Sequence, residues 1–328
     1  MSILHVTNGD SALVLMKRSG VPGTFIAWPD VLHEGPTPLA SGEEWIEVRA
    51  RYLAASDYGP PDGSLAEVLR DYRERNDALE SYAANEEVVF WFEHDLFDQL
   101  LLIRHLWWIR DKTGPRFSLV CGQAYLGLLR PEDFPALFEA RQPITAEQIR
   151  LGTRAWEAFC SADPTGLLPF AAADHADQSS LLPYLAAAIR RHLEEFPATT
   201  NGLARSERQI LQVLSEGVRT PEEAFIEAAR LEDSIYMGDL SFWTIVRRLV
   251  EGPRPLVGAK VEKRAGRLPS GTLALTADGA AVFAGRADHV ALNGLDRWLG
   301  GVRLTSRRLW RWNSRGSTLQ PSPLPPTS

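Results

Sequence analysis

The chain has 328 residues, enough for two or three domains, and 45 % of them are hydrophobic, an ordinary globular share. A formal charge of −7 excludes a coat protein that is basic overall, though not a local basic patch. The two cysteines, Cys121 and Cys160, form no CxxC pair and argue against a disulfide framework or a structural zinc site. The opening MSILHVTNGD lacks the basic start and long apolar run of a signal peptide, and no apolar stretch is long enough to span a bilayer. A cytoplasmic protein without membrane contact is expected.

Ile3 to Val6 reads as a short strand, broken by Thr7-Asn8-Gly9-Asp10-Ser11. Ala12 to Arg18 then reads as a helix stopped at Gly20. Gly23 to Trp28 is a second strand, followed by the polar loop Pro29 to Pro36. Ser41-x-x-Glu44 and Ser64-x-x-Glu67 fit the capping box that opens a helix. Within EEVVFWFEHDLFDQ (86–99), Val88 to Phe92 form an apolar run rich in β-branched and aromatic residues, the pattern of a strand buried on both faces. It halts at Glu93-His94-Asp95, and helical spacing starts at Leu96. Arg116 to Gly122 is a fourth strand. Strands alternating with helices predict an α/β domain over 1–125 with a four-stranded parallel, Rossmann-like sheet. A reversal of winding would set strand one beside strand three.

Residues 126–200 read as a helical connector, with a further capping box at Thr145 to Gln148. In 201–304, helices are predicted from Ser206, from Thr220-Pro221 and over Met237 to Val250. Two strand-like pieces follow, Leu256–Val261 and Gly271–Leu275, joined by a basic loop containing Lys263 and Arg264. Three helices and a hairpin are the layout of a winged helix. Residues 305–328 hold a basic-aromatic segment, Arg307, Arg308 and Arg311 among Trp310 and Trp312. From about Ser314 they continue into a Ser/Pro-rich tail expected to be disordered.

Three loops carry the candidate chemistry. The first holds Asn8, Gly9, Asp10 and Ser11, where a helix start offers free amides to an anion; Asp10 or Ser11 as a plain N-cap is the bland alternative. The second holds Asp30, His33 and Glu34, and otherwise reads as a solvated turn. The third holds Glu93, His94, Asp95, Asp98 and Gln99; its bland alternative makes Asp95 no more than the N-cap of its helix, with Asp98 and Gln99 in the first turns, where the helix dipole favours acids. Carboxylates gathered at one sheet edge repel unless a cation or a shifted pKa relieves them. One arrangement places a divalent metal between Asp10, Glu93 and Asp95 and activates water for hydrolysis. Another uses His33 or His94, with Glu34, Glu93 or Asp95, as acid and base without metal. In either case Asp10 and Glu93 or Asp95, with a histidine, should converge within roughly 8 Å. His5 lies inside the first strand and reads as a core histidine.

HVTNGDS at 5–11, WPDVLHEGP at 28–36 and WFEHDLFDQL at 91–100 together resemble a bacterial family known as domain of unknown function eighteen thirty-five. The resemblance covers about the first 125 residues and implies that the three loops form one site; it implies no activity, cofactor or substrate. LALTADGAAVFAG at 273–285 resembles winged-helix modules more loosely.

The expected function is an enzyme, a hydrolase, or a ligand-binding protein acting on a phosphate-containing small molecule or a nucleic-acid end. The alternative is a non-enzymatic regulator that senses a ligand and binds DNA or a protein partner through the winged helix. Arg247, Arg248, Lys263 and Arg264 would then contact phosphates.

Overall fold

A computed structural model describes residues 2–60, 62–172, 180–264 and 267–322. The chain divides into two compact units, Met1–Arg190 and Arg191–Ser328. Among the described residues, no helix is long and apolar enough to cross a membrane.

The first unit runs β1 (Ile3–Thr7), α1 (Asp10–Lys17), β2 (Thr24–Ala27), α2 (Gly42–Ala54), α3 (Leu65–Glu80), β3 (Glu87–Phe92), α4 (Leu96–Ile109), β4 (Arg116–Cys121), α5 (Phe134–Glu139), β5 (Gln142–Pro143) and α6 (Ala146–Phe159). The sheet order is β2-β1-β3-β4-β5. Strand one therefore lies beside strand three, as the reversal of winding predicts. The first four strands are parallel, but the sheet has five strands, not four: β5 pairs antiparallel to β4. Two residues ending in proline carry no strand periodicity, so β5 has no sequence signal.

Every residue of β3 is at most 1 % exposed. Its side chains alternate between two layers. Val89 and Trp91 join Ala12, Met16 and Phe134 in one core. Phe90 and Phe92 meet His105 of α4, with ring centroids 5.2 and 5.3 Å apart. Helix α4 is buried around its whole circumference, only Phe97 being excepted, as expected of a helix that is apolar on all sides. His5 is a core histidine: Nδ1 accepts from Trp91 Nε1 (3.0 Å) and Nε2 donates to the Pro22 carbonyl (3.0 Å). The Thr145–Gln148 box closes as predicted. Ser41 precedes α2 without capping it.

The loop after β2 is held by a buried ion pair, which corrects the ligand-binding role expected of Asp30. Asp30 and Arg49 are both fully buried, with Nη2 2.6 Å from Oδ1. The same guanidinium donates to the carbonyls of Val31, Glu34 and Pro36 at 2.8–3.1 Å. Gly35, at φ +76°, lies so close to the Tyr52 ring that a Cβ would fall 2.4 Å from it.

In the second unit, helices Arg205–Ser215, Pro221–Ala229 and Asp239–Glu251 and the antiparallel hairpin Val257–Arg264/Arg267–Leu275 share one core. Thr220 and Glu223 form a full capping box with Pro221 at the first helical position. Ser206 is not the cap of its helix; its hydroxyl bonds Glu195 (2.7 Å), within the buried network of Arg191, Glu232 and Tyr236. The disorder expected from Ser314 is corrected as far as Ser322, since Thr318–Ser322 pairs with Leu309–Asn313; the rest of that expectation, 323–328, lies outside the described residues. A proline-containing strand at a hairpin edge keeps the composition of a tail while using the hydrogen bonds it still has. The basic-aromatic segment is partly spoken for: Arg303 pairs with Asp296, Arg311 with Asp288, and Trp312 is buried.

Removing one partner from a buried pair strands the other charge. Arg49→Met is expected to lower the unfolding free energy by about 3–5 kcal/mol in a urea titration. A loss below about 1 kcal/mol would show that the pair does not hold this loop.

Candidate functional site

Strands β1 and β3 are neighbours whose chains leave toward different crossovers, and this is the place where open α/β sheets leave a crevice. From the end of β3 come Glu93, Asp95 and Asp98, which are 5 %, 3 % and 1 % exposed. One carboxylate oxygen from each lies within 4.8 Å of the others. No lysine or arginine among the described residues pairs with any of them.

Local hydrogen bonding explains why the chain folds this way here. Asp95 is the N-cap of α4 and accepts from the Asp98 amide (3.1 Å). Asp98 reaches back to the Glu93 amide (2.9 Å), and Gln99 Nε2 donates to the Glu93 carbonyl (2.6 Å). The turn is thus closed by its own side chains, in the manner of a capping box. Asn8, at the end of β1, ties the two loops together. Its Nδ2 donates to Glu93 Oε1 (3.0 Å) and to Asp98 Oδ2 (2.9 Å). The Leu126 amide, in the loop after β4, also donates to Glu93 Oε1 (2.7 Å).

These donors do not compensate for burial. Burial raises the Glu93 pKa against the hydrogen bonds from Leu126 and Asn8. Burial and the charge of Glu93 push Asp95 up to about 7. Asp98 is raised well above the usual carboxylate range by burial and by both neighbours. Three oxygen ligands, hard and anionic, suit a divalent cation of the magnesium, manganese or calcium type.

The predicted constellation is met in part. Asp10 is exposed in the first turn of α1 and stands outside the carboxylate group; the third member is Asp98. Neither Asp10 nor Ser11 caps α1, because Gly9 occupies the N-cap position, with open space where its Cβ would stand. Gln99 faces the backbone and positions the loop. His94 stands outside the carboxylate group and meets the rings of Tyr125 (5.1 Å) and Tyr184 (5.9 Å). Burial lowers its pKa, so the ring is neutral at pH 7. His33 is buried with its ring 6.0 Å from Phe97, the residue before Asp98. The Glu34 carboxylate accepts from the Tyr52 hydroxyl (3.1 Å). Sequence reasoning missed the Leu126 amide, although the rule that placed the other loops at strand ends applies equally to the end of β4. The side chains of Lys263 and Arg264 lie outside the described residues.

No family model matches the chain, and no curated protein matches it. Among solved structures, the DNA-binding, cleavage and re-ligation domain of topoisomerase II from Plasmodium falciparum is similar at 9 % identity and a TM-score of 0.35. That match covers 98 % of this chain and 54 % of that one. So loose a likeness assigns neither a fold nor an activity.

A carboxyl whose folded pKa is raised stabilises the fold fully below its unfolded pKa, and that contribution is lost as pH rises through the folded value. For Asp95 the window runs from about 4 to about 7. Glu87, held near 2 by Arg141 and Arg116 against burial, acts oppositely but only below that window. The buried histidines His5, His94 and His105, whose pKa values burial lowers, gain stability as the pH rises toward 6.5, equally in wild type and variant. In EDTA, raising the pH from 5 to 8 should therefore cost the wild type about 2–4 kcal/mol relative to Asp95→Asn. Equal slopes in wild type and variant would show that these carboxyls titrate normally.

Proposed function

We propose that the first unit is a divalent-cation-dependent enzyme of the hydrolase class that acts on a phosphate-bearing substrate, a small molecule or a nucleic-acid end. The observation that carries this reading is the group of three buried carboxylates within 4.8 Å at the β1/β3 crevice, with no cationic side chain to neutralise it among the described residues. A structural carboxylate in this unit has such a partner, as Asp30 has Arg49 and Glu87 has Arg141. Uncompensated, desolvated acids are the mark of a site adapted to bind a cation or a proton.

Glu93, Asp95 and Asp98 would hold the metal. A bound divalent ion supplies a lowered pKa for water and a counter-charge for phosphate oxygens. Asn8 keeps Glu93 and Asp98 in register through its amide. Gly9 and the first turn of α1 leave room beside that amide for an anionic group. His33 remains the acid/base candidate of the second loop. The resemblance of the three loops to family eighteen thirty-five is consistent with their acting together. Two free thiols fit a cytoplasmic location.

A second reading rests on the other unit, whose three helices and hairpin pack on one core and would serve as a winged helix. In it, the first unit senses a ligand and the second contacts nucleic acid through Arg247 and Arg248 near the end of the third helix.

Two measurements separate these readings. Manganese or magnesium at millimolar concentration should raise the melting temperature at pH 8, by about 2.7 kcal/mol of stabilisation at one hundred times the dissociation constant. Glu93→Gln and Asp95→Asn should each abolish that shift together with any phosphate-ester hydrolysis. No shift in the wild type would remove the enzyme reading. Salt-dependent duplex binding that disappears in the Arg247→Ala, Arg248→Ala double variant would instead support the regulator.

A further inference from the structure

Helix α4 also carries an uncompensated positive charge, six residues beyond Asp98. Arg104 sits inside the apolar run from Leu100 to Ile109 and is 5 % exposed. No described carboxylate forms an ion pair with it, and its Nε meets no acceptor. The two carboxylates whose charge reaches it, Asp30 and Glu80, are already paired with Arg49 and Lys112. Beside Arg104 stand the Cys160 thiol, which burial pushes up to about 12 and so keeps neutral, and a set of aromatic rings. Its Cζ lies 4.3 Å from the ring centroid of Trp45 on α2, 5.3 Å from Trp107 and 5.6 Å from Trp156 on α6. The Trp45 and Trp156 rings are 5.7 Å apart. Both indole Nε1–H groups are buried without an acceptor.

Magnitudes decide what this arrangement lacks. A desolvated cation–π contact is worth about 2 kcal/mol, and two of the three contacts here are beyond 5 Å. Removing an ion from water costs several kcal/mol. Each buried donor left without an acceptor adds about 1–3 kcal/mol. Ring faces attract the cation but accept nothing from the indole N–H groups, which point out along the ring plane. A water molecule would accept from the donors and leave the charge uncompensated. An anion answers both deficits.

We propose that Arg104, together with the indole N–H groups of Trp45 and Trp156, forms a buried site for a small monovalent anion of halide or nitrate size between α2, α4 and α6. The charge is single because Asp30 and Arg49 cancel, which leaves one positive group. The ligand is small because Arg104 retains so little exposure. Burial lowers the Arg104 pKa only to about 10, so the guanidinium is charged at neutral pH.

Crystals of the intact protein grown or soaked in sodium bromide test this directly. An anomalous peak is expected within roughly 3.5 Å of the Arg104 guanidinium and of at least one of the two indole nitrogens. Bromide peaks confined to the surface, or water refined at this position, would overturn the site. In solution, the melting temperature should be higher in sodium bromide than in sodium gluconate at equal ionic strength. Arg104→Met should lose that difference, and a difference unchanged in Arg104→Met would also overturn the proposal. Because the crystallographic arm uses the wild-type chain, the outcome does not depend on the variant folding.

Discussion

The double-sided burial of β3 is the constraint on which the first unit depends. A strand hydrogen-bonded along both edges and apolar on both faces must be covered by helices above and below. Parallel neighbours require crossovers, and a central strand with partners on either side requires those crossovers to diverge. The loops after β1 and β3 therefore leave the same sheet edge in different directions. Asn8 spans the gap that results, with hydrogen bonds to Glu93 and Asp98. The site is thus a consequence of sheet order before it is a matter of side-chain chemistry.

Much of this was legible in the sequence because the signals were local. The apolar run Val88–Phe92 marks a strand whichever neighbours it finds, and Asp95 before an apolar helix marks a cap. Both stand where they were predicted. What was not legible depended on side-chain direction. Asp10 and Asp98 look alike as acids in the first turn of a helix; only the fold turns Asp98 inward to the Glu93 amide and leaves Asp10 in solvent. His94 lies between two members of the carboxylate group in sequence, yet alternation about the strand end sends it to Tyr125 and Tyr184. Asp30 reads as a turn residue because its partner, Arg49, lies nineteen positions away. Arg104 did leave a local trace, a lone arginine in a helix apolar on every side, but such a residue cannot be told from a snorkelling side chain until its burial is seen.

The two carboxylates that bracket β3 separate structure from site. Glu87 opens the strand and Glu93 follows its last residue; both are buried. Desolvation acts upward on each. At Glu87 it is overcome by Arg141, Arg116 and Ser118, and the carboxyl is held near 2. At Glu93 the donors are an amide side chain and a backbone N–H, neither carrying a full charge, and the pKa rises. Burial alone therefore does not distinguish these two carboxylates; the direction of the shift does, because it records whether the fold has already supplied the counter-charge.

The same argument applies along α4. Asp98 and Arg104 are six residues apart on one helix, about 9 Å along its axis. Neither appears among the leading influences on the other's ionisation, which come from Asp95 and Glu93 on one side and from burial, Cys160 and Asp30 on the other. An acidic group and a basic group on one buried helix could have neutralised each other had they been a single turn apart and on one face. Here they face different surroundings, so each excess charge must be met locally, by protonation or by an ion from solution. At the carboxylates the proton is available as a substitute, since Asp95 titrates near neutrality. Arg104 has no such substitute near neutral pH, since burial lowers its pKa only to about 10. The proposed cation site would therefore exist in a protonated state without metal, whereas Arg104 keeps its charge across the neutral range.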